Sequence, residues 1–136
     1  MKKVFLPLFA TLLLLSCQET LEEKAAREAR LYTLKNCPSK VDDYIISDSL
    51  TFDAATHTLS YYYTMTGFAD SAELVKPDVF REVLLGQLAN TTSMAPYKEA
   101  GYRFAYVYHS QKHPSQILFE TVFTKDDYTK AQPARK

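Results

Sequence analysis

Glycine is scarce in this chain, at three residues of 136; tryptophan is absent, and cysteine occurs twice. So little glycine leaves no glycine-rich turn to cradle a phosphate, and no serine nucleophile stands between glycines. The spacings His-Glu-x-x-His and Cys-x-x-Cys, which would bring metal or redox chemistry, do not occur. Lysine plus arginine equal aspartate plus glutamate at 16 each, without a basic block, which argues against nucleic acid and against a polybasic membrane contact. No repeat or low-complexity linker divides the chain, and no apolar run approaches the roughly 20 residues of a membrane-spanning helix. These absences remove the usual grounds for expecting a catalytic residue, a metal or a cofactor.

What is present begins at the N-terminus. Lys2 and Lys3 precede an apolar stretch from Val4 to Leu15, interrupted by Pro7 and Thr11. This is the layout of a secretory signal. The stretch closes at Ser16-Cys17 and passes into Gln18-Glu19-Thr20-Leu21-Glu22-Glu23, which no bilayer core would accept. Leu14-Leu15-Ser16-Cys17 resembles the lipobox of bacterial lipoproteins. The resemblance implies removal of Met1 to Ser16 and attachment of lipid to Cys17, which becomes the new N-terminus. Several acyl chains on one residue anchor stably where a single chain is marginal. Glu19, Glu22 and Glu23 resemble the surface-export signals of lipoproteins in Bacteroides-like bacteria. The implied address is the bacterial cell envelope, on the outer membrane. Removal of Met1 to Ser16 takes away two lysines and no acid, so the remaining 120 residues carry a formal charge of −2. Attachment then rests on lipid and not on charge.

With Cys17 acylated, Cys37 has no partner in the chain. In an oxidising compartment such a thiol is buried, paired with another molecule, or functional. Burial beside Pro38 is the simplest expectation. A catalytic thiol would need His57, His109 or His113 as its base.

Thr20 with Glu23 fits a capping box, so a helix is predicted from there to Asn36, ended by Pro38. Its stripe of Leu21, Ala25, Ala29 and Tyr32 is thin, which predicts a helix lying lightly on the domain or a lipid-attached stalk over 17–36. From Tyr44 the period becomes two. Ile46, Leu50 and Phe52 share a face, and Leu59, Tyr61, Tyr63 and Met65 resume it after a polar loop, giving a hairpin. The register pairs Phe52 with Leu59, Leu50 with Tyr61 and Ile46 with Met65. Pro77 then opens a helix with Phe80, Val83, Leu84 and Leu88 inward, and Gly101 stops a short helical turn. A second hairpin alternates Tyr102, Phe104, Tyr106 and Tyr108, then returns Ile117, Phe119 and Phe123. Pairing Gln111 with Gln116 sets Tyr108 against Phe119 and Phe104 against Phe123. The expected fold is α+β, ββαββ after the first helix, with a four-stranded antiparallel sheet under one helix. The domain spans 37–128, and 129–136 is a frayed tail.

Three constellations could carry function. Asp48 is polar in the apolar register of the first strand, so it needs a partner, solvent or a bulge; in a pocket it could bind a ligand or act as a base. His109 and Glu120 share a face of the second hairpin, diagonal to each other, as an acid–base pair or as an exposed polar pair. The tyrosines are the third: Tyr61, Tyr63, Tyr102, Tyr106 and Tyr108 lie in the apolar registers and Tyr62 faces the other way. Tyr62 and Tyr108 are the nominated rim rings, because tyrosine joins large contact area to a polar tip. Asn36-Cys37-Pro38, Tyr61-Tyr62-Tyr63 and Tyr106-Val107-Tyr108 together resemble small envelope lipoproteins. The expectation is a lipid-anchored, non-enzymatic binding or accessory module that meets a protein or glycan through its tyrosine-bearing sheet. The rivals are a small hydrolase or transferase using Asp48 or His109 with Glu120, and a membrane-tethered inhibitor or immunity protein.

Overall fold

A computed structural model describes residues 18–131, so the signal-like segment and Cys17 lie outside the described residues. Helix α1 (Leu21–Asn36) starts in the expected capping box: the Glu23 N–H donates to the Thr20 hydroxyl and the Thr20 N–H to the Glu23 carboxylate, both at 3.1 Å. Its small residues decide how it packs. Ala25 and Ala29 are 1% and 2% exposed, so the helix comes close to the sheet and belongs to the core, not to a stalk.

Strands β2 (Ile45–Asp53) and β3 (Thr58–Met65) form the first hairpin, with Phe52 opposite Leu59 and Leu50 opposite Tyr61 as the alternation requires. The register shifts at Asp48, an extra residue between the Ser47–Tyr63 and Ser49–Tyr62 pairs. One bulged residue turns every earlier side chain to the other face. Ile45 therefore stands opposite Met65, and Ile46 pairs with Thr64 instead of Met65. The second hairpin, β4 (Arg103–Ser110) with β5 (Ile117–Phe123), sets Phe104 opposite Phe123 and Tyr108 opposite Phe119. A shift after Tyr108 puts His109 opposite Ile117, and the Ser110 N–H reaches the Gln116 carbonyl at 3.0 Å, so Gln111 and Gln116 do not pair.

The sheet has five strands in sequence order, because the short β1 (Ser39–Lys40) adds to the free edge of β2. Its centre corrects the antiparallel expectation: β3 and β4 run parallel, with Leu59 beside Phe104 and Tyr63 beside Tyr108. Parallel neighbours need a crossover, usually helical. Here α2 (Pro77–Asn90) and α3 (Ala95–Glu99) supply it, returning the chain from one end of the sheet to the other. Gly101, at φ +78°, turns the chain out of α3, a conformation open to glycine without a Cβ penalty.

A further helix, α4 (Lys125–Lys130), takes Thr129 and Lys130 out of the expected tail. Asp127 accepts from the Thr124 N–H at 2.8 Å to cap it. Tyr128 is buried, and its hydroxyl donates to the carbonyls of Lys98 and Tyr102 at 3.1 and 3.0 Å. That side chain ties α4 to the turn that feeds β4. The core lies between the helices and one sheet face, centred on Phe104, Tyr106, Tyr108, Phe119 and Phe123. Burying one such ring stabilises the fold by roughly 1.5–3 kcal/mol.

Candidate functional site

The crossover decides where the tyrosines go. In a parallel pair, neighbours on one face stack across the strands, and Tyr61 lies on Tyr106 with centroids 5.1 Å apart, Tyr63 on Tyr108 at 4.7 Å. Phe80 of α2 meets Tyr108 edge-on at 4.8 Å. Tyr108, expected at the rim, is 4% exposed, because α2 covers the end of β4 where open sheet was anticipated. Burial raises the Tyr61, Tyr106 and Tyr108 phenols above the ordinary tyrosine value and pushes Tyr63 up to about 12. These rings are packing, held neutral.

Among the described residues, no helix packs on the other sheet face. Asp48, Tyr62, His109 and Glu120 all fall there. The Asp48 carboxylate accepts from the Thr64 hydroxyl at 2.7 Å, which answers the need for a partner at the bulge. Tyr62 is half-buried and stacks on His109 with centroids 6.5 Å apart. His109 Nδ1 has no hydrogen-bond partner, and Glu120 is exposed opposite Val107. The structure thus brings Tyr62 and His109 together, and no hydrogen bond joins His109 to Glu120 among the described residues. No cluster of His, Cys, Asp and Glu suited to a metal occurs among them either. Cys37 is half-buried, with Sγ 3.6 Å from the Ser47 hydroxyl.

A cavity of about 570 Å³ opens beside Lys98, Glu99, Lys125 and Tyr128. Lys98 is 8% exposed, and its ammonium donates to the Leu88 and Ala89 carbonyls at 2.9 and 3.1 Å. It closes the C-terminus of α2, where a cation complements the helix dipole. Burial lowers its pKa.

A second concavity, of about 390 Å³, has an apolar lining and lies at the opposite end of the strands. Ile45 and Met65 form its floor, Phe80 one wall, and Phe68, Leu74, Val79 and Val83 its rim. The rim residues are exposed by 73%, 50%, 58% and 50%, an unusual density of apolar surface at one place. Val83, expected inside, points out because α2 has two apolar stripes: Leu84 and Leu88 face the core while Val79 and Val83 face the groove. A pair at i and i+4 beside the buried stripe was the signal in the sequence, hidden there by counting Val83 with the core.

Fold and groove together define a small α+β protein with an open mixed sheet, helices on one face, and an apolar groove at one sheet end. Within that class, the chain belongs to a domain family of unknown function (DUF8479), whose model matches residues 20–119. Nothing among curated proteins matches it significantly. Similar solved structures include a protein of Pseudomonas aeruginosa assigned as secreted, at 16% identity and TM-score 0.66, covering 81% of this chain and 91% of that one. The type II secretion system pilotin AspS from Vibrio cholerae is similar at 13% identity and TM-score 0.58, covering 78% and 90%. At these identities the likeness is one of fold.

Proposed function

We propose that this chain is a lipid-anchored accessory protein of the bacterial cell envelope that binds another protein and performs no catalysis. The observation that carries the reading is the groove rimmed by Phe68, Leu74, Val79 and Val83, since contiguous exposed apolar surface marks interaction sites. The lipobox-like Leu14-Leu15-Ser16-Cys17 supports the address. The fold similarity to a secretion-system pilotin and to a protein assigned as secreted supports an envelope role. Asp48 is engaged by Thr64 and His109 is not bonded to Glu120, which weakens the hydrolase reading. We place the contact surface expected on the tyrosines at the groove instead, with half-buried Tyr62 the ring of the set that lies on the other sheet face. A membrane-tethered inhibitor would use the same surface against a different partner.

The test joins anchoring to contact. Metabolic labelling with a fatty-acid analogue should mark the wild type and not Cys17→Ser. Photo-crosslinkers placed at Val83 and at Tyr62 should capture discrete protein adducts from intact cells. Equal labelling of Cys17→Ser ends the anchoring claim, and no adduct from either position ends the binding claim.

A further inference from the structure

The groove carries information about its occupant in the charges around it. Asp42 and Asp43 lie just before Ile45 of the floor, Glu73 just before Leu74 of the rim, and Asp78 and Glu82 just before Val79 and Val83; all five are exposed. Against them stand Lys76, which lines the groove, Lys40, which pairs with Ile46 at the sheet edge, and Lys112, whose N–H meets the Asp70 carboxylate next to Ala69 of the lining. The arginine of this helix is turned away: Arg81 sits over the Phe123 ring at 4.7 Å and 3.4 Å from Asp127. An apolar groove whose flanking exposed residues are net acidic, five acids against three lysines, selects for an apolar ligand with positive flanks.

The position of the groove narrows the choice. Helix α1 begins at the opposite end of the sheet, where Glu22 meets His57 of the β2–β3 turn at 2.6 Å. The length of β3 separates that turn from Met65, roughly 23 Å at 3.3 Å per residue. A lipid on Cys17, about four residues before α1, would hold the α1 end at the bilayer and turn the groove away from it. Anionic headgroups would also be repelled by the rim. A second copy docking groove to groove would set acid against acid, so self-association is disfavoured by the same charges.

We propose that this groove takes a short segment of a partner protein carrying aliphatic or aromatic anchors flanked by lysine or arginine, presented at the membrane-distal end. The apolar anchors fill the space over Met65 and Phe80, and the flanking cations face Asp78, Glu82 and Asp42. The proposal rests on the binding-protein reading given above and adds the chemistry of the partner and the place where it binds.

The test uses the full lipidated protein in neutral detergent micelles, with two fluorescent synthetic peptides of the same leucine-rich centre, one flanked by lysines and one by glutamates. The lysine-flanked peptide should bind at least about tenfold more tightly, and added salt should narrow the gap. Val79→Asp with Val83→Asp should abolish binding; both side chains are exposed, so the fold survives, as the unchanged circular dichroism should show. Asp78→Lys with Glu82→Lys should exchange the preference in favour of the glutamate-flanked peptide. Equal binding of the two peptides, or no binding of either, overturns the proposal. So does preferential binding to vesicles containing anionic lipid, or a dimer that Val79→Asp dissociates. If partners crosslinked through position 62 in intact cells persist in the Val79→Asp/Val83→Asp variant, the protein binds elsewhere: the groove proposal fails while the binding role stands. If the wild type captures nothing, the binding role itself has failed.

Discussion

Thr33 shows how one side chain can finish a sheet. Beyond the two residues of β1, the outer edge of β2 would leave Leu50 with an unpaired N–H and carbonyl. The Thr33 hydroxyl accepts from that N–H and donates to that carbonyl, both at 2.9 Å, so one oxygen does the work of a neighbouring strand. Thr33→Val keeps the shape and leaves both groups unanswered, which should cost on the order of 1–3 kcal/mol. Thr33→Ser should recover most of it. Urea unfolding of the two variants measures the difference, and a Val variant as stable as wild type would mean that water replaces the hydroxyl. Nothing in the sequence marked Thr33 for this role: it continues the i, i+4 row of Leu21, Ala25 and Ala29 as a polar residue, and its partner is seventeen residues away.

Among elements, the loop after β3 is held by Asp70, whose carboxylate is buried and accepts from the Lys112 N–H at 2.9 Å. Hydrogen bonds from the Ser110 side chain first, and from the Lys112 backbone, hold its pKa below the ordinary carboxylate value. A depressed folded-state pKa contributes stability that is present above the unfolded value of about 3.9 and is lost as pH falls through the folded value. Wild type should therefore exceed Asp70→Asn in melting temperature at neutral pH, and the gap should close below pH ~4. A gap that stays constant from pH 7 to pH 3 would mean that the charge of Asp70 is not what matters. Local chemistry of this kind was legible where it is local in sequence. The Thr20–Glu23 capping box, Pro77, Gly101, both hairpins and the bulge at Ser47-Asp48-Ser49 follow from neighbours within a few residues. What escaped depends on long-range choice. Two hairpins with matching apolar faces can join either way round, and only the path of α2 and α3 makes the centre parallel. Helix α4 escaped because six residues give little periodicity, although Thr124 and Asp127 carried a cap signal. The groove escaped because an apolar side chain reads as core until the packing shows it has none.

At the scale of the molecule, the tyrosines tie alkaline stability to the core. Raised folded-state pKa values contribute stability that is complete below the unfolded value of about 10 and is lost as pH rises past it. With no tryptophan in the chain, ultraviolet absorbance follows tyrosine ionisation alone. Ionisation of the buried set should appear together with loss of ellipticity, in one cooperative step above pH ~10. A smooth titration of all ten phenols near pH 10 with the fold intact would mean that the rings are accessible. The close packing of α1 also has a consequence for how such a molecule would search for its partner. A helix seated on the sheet cannot act as a boom. From Cys17 to Leu21 the chain spans at most about 14 Å even when fully extended. Were Cys17 lipidated as proposed, a protein tethered so briefly would explore a thin layer above the bilayer, and encounters would become two-dimensional, set by lateral diffusion and not by reach. The partner would have to share that membrane or be delivered to it, with its basic segment at the height of one small domain.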